Sequence, residues 1–135
     1  MLMVKASAKQ SPIEGLGLFA NEDIPKGTVI WKYNPRFDIS FTPEEVESMS
    51  AAEKKLIDTY AFLSPQQGKY IYSIDDSRFT NHSSIHANES VLPSPGDVES
   101  STVANRDIKA GEEILSNYRL FDTYEATSDE EYLSH

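Results

Sequence analysis

One pattern, N-x-D-I-x-x-G-x-x-I, occurs twice in this chain. It runs once from Asn21 through Asp23, Ile24 and Gly27 to Ile30, and again from Asn105 through Asp107, Ile108 and Gly111 to Ile114. Two copies do not make a solenoid, which needs at least three stacked units. They predict two similar bends. In each, an isoleucine enters the core before the turn, a glycine takes a positive φ angle, and the next strand leaves with an inward isoleucine. The repeat is therefore read as architecture rather than chemistry. A length of 135 residues suits one domain around one core.

Most other segments fit a mainly β domain. Val4, Ala6 and Ala8 alternate through an opening strand over Lys5 to Gln10. Ile13 to Ala20 joins two close glycines to apolar residues, a tight turn into a strand. Thr28-Val29-Ile30-Trp31 is β-branched and aromatic, hence a strand. Lys69 to Ile74 and Ser101 to Ala104 read the same way, and Ile108 to Leu115 is a turn into a strand ending near Tyr118. Asp75 to Asn88 reads as a polar loop and Val91 to Asp97 as a turn. The helical exception lies around residues 42–63. Thr42 can cap, Pro43 fits the first helical position, and Glu45 completes a capping box. Ser50 and Glu53 repeat that signal, with Leu56, Ile57, Tyr60 and Leu63 at helical spacing behind them. One broken helix or two short ones are expected, closed by Pro65 and Gly68.

Composition narrows the function classes. No apolar run is long enough to span a bilayer, and Met1-Leu2-Met3-Val4-Lys5 is too soon charged for a secretory signal. The expectation is a soluble intracellular protein, cytoplasmic in a prokaryote or nuclear otherwise, with no membrane contact. The absence of cysteine excludes disulfides, thiolate zinc sites and a cysteine nucleophile. The net charge of -10, with cations scattered apart from Lys54-Lys55, argues against direct nucleic-acid binding. It favours a basic peptide or protein as the charged partner.

Three segments could carry chemistry. Gly15-Leu16-Gly17 lets a ligand approach the backbone, although a plain β-turn would also account for it. Arg78-Phe79-Thr80-Asn81-His82-Ser83 and the residues to Asn88 are rich in groups that both donate and accept hydrogen bonds. His82 and His86 there could also be read as metal ligands. Gly111-Glu112-Glu113-Ile114-Leu115-Ser116-Asn117-Tyr118 ends on a tyrosine that packing alone would explain.

Taken together and in this order, the three segments resemble the SET-domain methyltransferases. That family carries G-x-G near its start, R-F-x-N-H-S past its middle and G-E-E-[LI]-x-x-x-Y near its end. The resemblance runs from about Val4 to Tyr118, giving a domain over 1–120 and an acidic aromatic tail over 121–135. It implies a mainly β, β-clip-like fold of small sheets with a C-terminal pseudoknot. It further implies a protein-lysine N-methyltransferase using S-adenosylmethionine. Leu16, Gly17, Arg78, Asn81, His82 and Tyr118 would form the cofactor site, with Leu16 and Gly17 at the methionine part, Asn81 at its polar end and the His82 backbone at the adenine. Tyr118 would be the catalytic tyrosine and Tyr60 a second tyrosine in the lysine channel. No metal is implied.

The chain departs from the family after N-H-S. Where the family has Cys and then x-P-N, this sequence has Ser84-Ile85-His86-Ala87-Asn88. No cysteine-rich segment follows to close the lysine channel, a task left to Phe121, Tyr124 or Tyr132, or to a second subunit in a homodimer. A catalytically inactive SET-like interaction module is the alternative within the family. A β protein binding metal through His82 and His86 is the alternative outside it.

Overall fold

A computed structural model describes residues 1–93 and 96–117. Its strands are β1 (Ala6–Gln10), β2 (Leu16–Ala20), β3 (Val29–Trp31), β4 (Asp38–Phe41), β5 (Phe62–Leu63), β6 (Tyr70–Ser73), β7 (Asn81–His82), β8 (Glu89–Leu92), β9 (Ser101–Ala104) and β10 (Glu113–Ser116). Two helices, α1 (Pro43–Glu47) and α2 (Ala51–Tyr60), and a 3-10 turn at Asp76–Phe79 complete the described elements. The strands form three small sheets, ordered β1-β2-β10-β7, β3-β9-β8 and β4-β6-β5. No helix among the described residues is long and apolar enough to cross a membrane.

The repeated pattern builds the centre by pairing with itself. Ile24 N–H donates to the Ile108 carbonyl at 2.7 Å, and Ile108 N–H donates to the Ile24 carbonyl at 2.8 Å. The repeated aspartates cross over: Lys26 N–H donates to Asp107 at 2.8 Å and Ala110 N–H to Asp23 at 2.9 Å. Gly27 and Gly111 hold φ angles of 88° and 94°, which a side chain would disfavour. Each copy's outgoing strand then pairs with the strand leading into the other copy: β3 with β9, and β10 with β2. The four repeated isoleucines, Ile24, Ile30, Ile108 and Ile114, are almost fully buried together with Leu18, Ala20 and Ala104. Each such isoleucine contributes about 1.5–3 kcal/mol of transfer free energy, so the repeat supplies much of the central cluster.

β10 also runs parallel to β7, with Leu115 beside Asn81 and Ser116 beside His82. The connection after β7 bonds across it, Ser83 N–H to the Ser116 carbonyl and Asn88 N–H to the Leu115 carbonyl. β10 is thereby threaded between earlier segments, the expected pseudoknot.

Both expected capping boxes form, at Thr42 with Glu45 and at Ser50 with Glu53. The helical reading of Leu63 is corrected. Ala61 turns extended, and Phe62 and Leu63 pair with Ile71 and Tyr70 of β6. A free sheet edge captures them, and Phe62 meets Trp31 edge-on at 6.2 Å. Strands β4 and β8 go beyond the sequence reading, and the expected loop over 75–88 contains the 3-10 turn and β7.

Candidate functional site

The three motif segments meet at Gly17. A Cβ there would lie 2.2 Å from Glu113 Oε2 and 3.0 Å from Asn81 Nδ2, so any side chain at this position would displace Glu113. The Asn81 amide donates toward the Glu14 and Leu16 carbonyls, both at 3.1 Å, and toward Glu113 Oε2 at 2.9 Å. Ser11 Oγ donates to the same Glu113 carboxylate at 2.8 and 2.9 Å. One residue from each motif thus shares a partly buried, acceptor-rich cluster. Asn88 secures it from behind. Its amide donates to the Glu113 carbonyl and its oxygen accepts from Leu115 N–H, each at 2.8 Å.

The other face of β10 borders a cavity of about 170 Å³. Side chains alternate along a strand, so Glu113 points to the Gly17 cluster while Ile114 and Ser116 point away from it. Ser116 lines the cavity with Trp31, Tyr60 and Phe62 as its aromatic wall. Tyr60 packs edge-on against Phe79 at 5.6 Å and Tyr72 at 6.1 Å. The Arg78 guanidinium lies 4.4 Å from the centre of the Phe79 ring and 5.7 Å from that of Tyr60, a cation–π arrangement.

Two buried carboxyl groups, Glu89 and Glu99, also line this cavity. Glu89 accepts hydrogen bonds from the Ser116 and Thr102 hydroxyls. Burial pushes its carboxyl above the ordinary range, and the two hydroxyls pull it partway back. The folded protein therefore keeps this proton to higher pH than the unfolded chain does. Below the ordinary carboxylate range both states are protonated and nothing is lost. As pH rises through that range, the unfolded chain releases its proton first, and stability falls until the folded carboxyl also titrates. Glu89→Gln is therefore expected to be more stable than the wild type near about pH 7 and equal to it near about pH 3. Thermal melts across that range check it; a variant that is less stable at neutral pH contradicts it.

The structure brings Gly17, Leu16 and Asn81 together, with His82 next in β7 and buried. Arg78 and Tyr60 group instead at the cavity, where Arg78 donates to the Ile74 and Asp75 carbonyls. Tyr118 and the tail aromatics Phe121, Tyr124 and Tyr132 lie outside the described residues. His82 is buried whereas His86 is exposed on the following turn. Among the described residues no group of three His, Asp or Glu side chains could hold a metal ion. Sequence reasoning missed Ser11, Glu89 and Glu99, and it gave Glu113 no role of its own.

Comparisons with known proteins agree with this geometry. A family model described as the SET domain matches residues 15–119. Two structures of the Chaetomium thermophilum Polycomb Repressive Complex 2 are similar, one a humanized mutant bound to an inhibitor and one autoinhibited and bound to S-adenosylmethionine. Their TM-scores are 0.63 and 0.64 at 27% identity, covering 87% of this chain but only 15% and 16% of theirs. A candidate histone methyltransferase of Plasmodium falciparum matches over 84% of this chain and 92% of its own, with TM-score 0.55 and 22% identity, which supports the fold alone. None of the curated proteins matches. With the family model spanning its G-x-G, N-H-S and G-E-E segments alike, the chain belongs to the SET-domain family.

Proposed function

We propose that this chain is an S-adenosylmethionine-dependent protein-lysine N-methyltransferase. The observation that supports it most is the placement of β10. One face of this strand meets the Gly17–Asn81–Glu113 cluster, and the other meets the aromatic, acid-lined cavity. A methyl donor on one side and an amine on the other need a common wall with an opening between them.

The donor set of the cluster fits the cofactor. Inward backbone carbonyls, a carboxamide and a carboxylate suit an ammonium and a sulfonium. When bound, S-adenosylmethionine supplies a methyl group on a positive sulfur. In this reading Leu16 and Gly17 hold its methionine part through the backbone, Asn81 its polar end, and the His82 backbone its adenine. Arg78, against the Tyr60 and Phe79 rings, helps to orient Tyr60 in this reading. The cavity takes the lysine side chain. A free lysine has a pKa near about 10.4 and arrives protonated. An apolar aromatic lining lowers that value, and alignment supplies much of the rate. Tyr118, two residues beyond Ser116, orients the amine by its hydroxyl. The net charge of -10 favours a basic, flexible segment as the acceptor.

Incubation with labelled S-adenosylmethionine and a panel of basic proteins, followed by mass spectrometry, tests the proposal. Methylated lysines are expected, and calorimetry should register cofactor binding. Tyr118→Phe should lower kcat about tenfold with cofactor affinity little changed, because the hydroxyl acts in the transition state. No cofactor heat and no labelled product would point to the interaction module instead.

A further inference from the structure

The two carboxyl groups of the cavity differ in how they are held. Both are buried, Glu89 at 7% and Glu99 at 6% exposure, and neither forms an ion pair among the described residues. Glu99 accepts from the Ser64 hydroxyl at 2.5 Å, the Gln67 amide at 3.0 Å and the Ser100 N–H at 3.2 Å. Those bonds tie the segment after β5 to the approach to β9, which is a structural task. Among the described residues, Glu89 accepts from two hydroxyls, those of Ser116 and Thr102. A carboxylate offers about four lone-pair positions, so Glu89 retains acceptor capacity. It also hydrogen-bonds Ser116, on the strand that separates the cavity from the Gly17 cluster.

Resting on the methyltransferase reading, we propose that Glu89 is the proton acceptor for the target lysine's ammonium group in this cavity. One N–H bond of the ammonium breaks and its proton passes to a Glu89 oxygen. The bonding pair stays on nitrogen as the lone pair that methyl transfer consumes. Glu89 becomes a neutral acid and releases the proton to solvent after product leaves. A buried carboxylate without a countercharge is costly, and an entering ammonium relieves that cost.

The other ionisable groups on the wall are Asp58 and Tyr60 of α2, Arg78 of the 3-10 turn, and Glu99 ahead of β9. Arg78 is engaged with two carbonyls and two rings and makes no ion pair with Glu89. Burial strengthens Glu89 as a base, which suits this role.

The test is methylation of a lysine-rich peptide at saturating S-adenosylmethionine by the wild type, Glu89→Gln and Thr102→Val. Glu89→Gln should lower kcat about tenfold near pH 7 and approach the wild type near about pH 10, where the ammonium loses its proton to solvent unaided. Cofactor affinity by calorimetry should not change, and the variant's melting temperature at neutral pH should exceed the wild type's. Thr102→Val removes a donor to the carboxylate, so the acid limb of its kcat profile should move to higher pH. A wild type that methylates alongside a Glu89→Gln variant with the same pH profile overturns the Glu89 assignment alone. A loss in Glu89→Gln that is equal at every pH also overturns it, as does an unmoved limb in Thr102→Val. A wild type with neither cofactor heat nor product overturns both readings.

Discussion

Asn88→Ala is expected to cost about 4 kcal/mol of stability and to lower the melting temperature by roughly 10 °C or more. Asn88 is only 1% exposed. Its side chain serves two backbone groups of β10, the Glu113 carbonyl and the Leu115 N–H. Alanine leaves both without that partner where water does not reach, and each such group costs about 1–3 kcal/mol. Its own backbone is engaged as well, donating to the Leu115 carbonyl and accepting from Asn105 N–H, so the loop and β10 loosen together. Asn88→Asp separates the two bonds: the oxygen still accepts from Leu115, but the donor to Glu113 is gone. It also sets a buried carboxylate oxygen against the Glu113 carbonyl, so at neutral pH it should cost at least as much as alanine. Chemical denaturation of the three proteins checks the order. A loss below about 1 kcal/mol for alanine would mean that the clasp is incidental to the fold.

The contrast between Asn88 and the repeated isoleucines marks what the sequence could tell. The bends were legible because each depends on local chemistry: a glycine at positive φ and an isoleucine on either side. The capping boxes at Thr42 and Ser50 were legible for the same reason. What was not legible is that the two bends hold each other. That follows from the pairing of Ile24 with Ile108, a contact between residues far apart in the chain. β8 was missed because Pro93 and Gly96 mark the turn that follows Glu89–Leu92 more strongly than those four residues mark a strand. Leu63 was misplaced because helical spacing continued past Ala61, while the edge of β6 offered hydrogen bonds that spacing does not register.

The site divides in the same way. Gly17 and Asn81 stood in recognisable motifs, and the structure adds why they meet. Glu89 and Glu99 resemble solvated acids in sequence, and charged residues are rarely fully buried. The one available signal was weak: each stands among hydroxyl residues, Glu89 before Ser90 and Glu99 before Ser100-Ser101-Thr102.

Gly17→Ala should leave the protein folded but weaken S-adenosylmethionine binding about a hundredfold or more. No unusual backbone angle is involved, so the effect is one of space. The new methyl group would sit 2.2 Å from Glu113 Oε2 and 2.9 Å from its Cδ. Those atoms end a flexible side chain, so they can swing away, and overpacking of this kind costs about 1–3 kcal/mol. Swinging away breaks the bonds of Glu113 to Ser11 and Asn81, and the new methyl group, 3.0 Å from Asn81 Nδ2, crowds that amide where it meets the Glu14 and Leu16 carbonyls. The cluster proposed to receive the cofactor's polar end is then lost although the core built by the four isoleucines remains. A double-mutant cycle isolates the cause. If the collision with Glu113 is the mechanism, Gly17→Ala should cost far less stability in a Glu113→Ala background than in the wild type. Calorimetry with S-adenosylmethionine and thermal melts on all four proteins supply both readouts. Additive stability losses would show that the glycine matters for a reason other than this contact, and an alanine variant with wild-type affinity would remove the Gly17 cluster from the binding site.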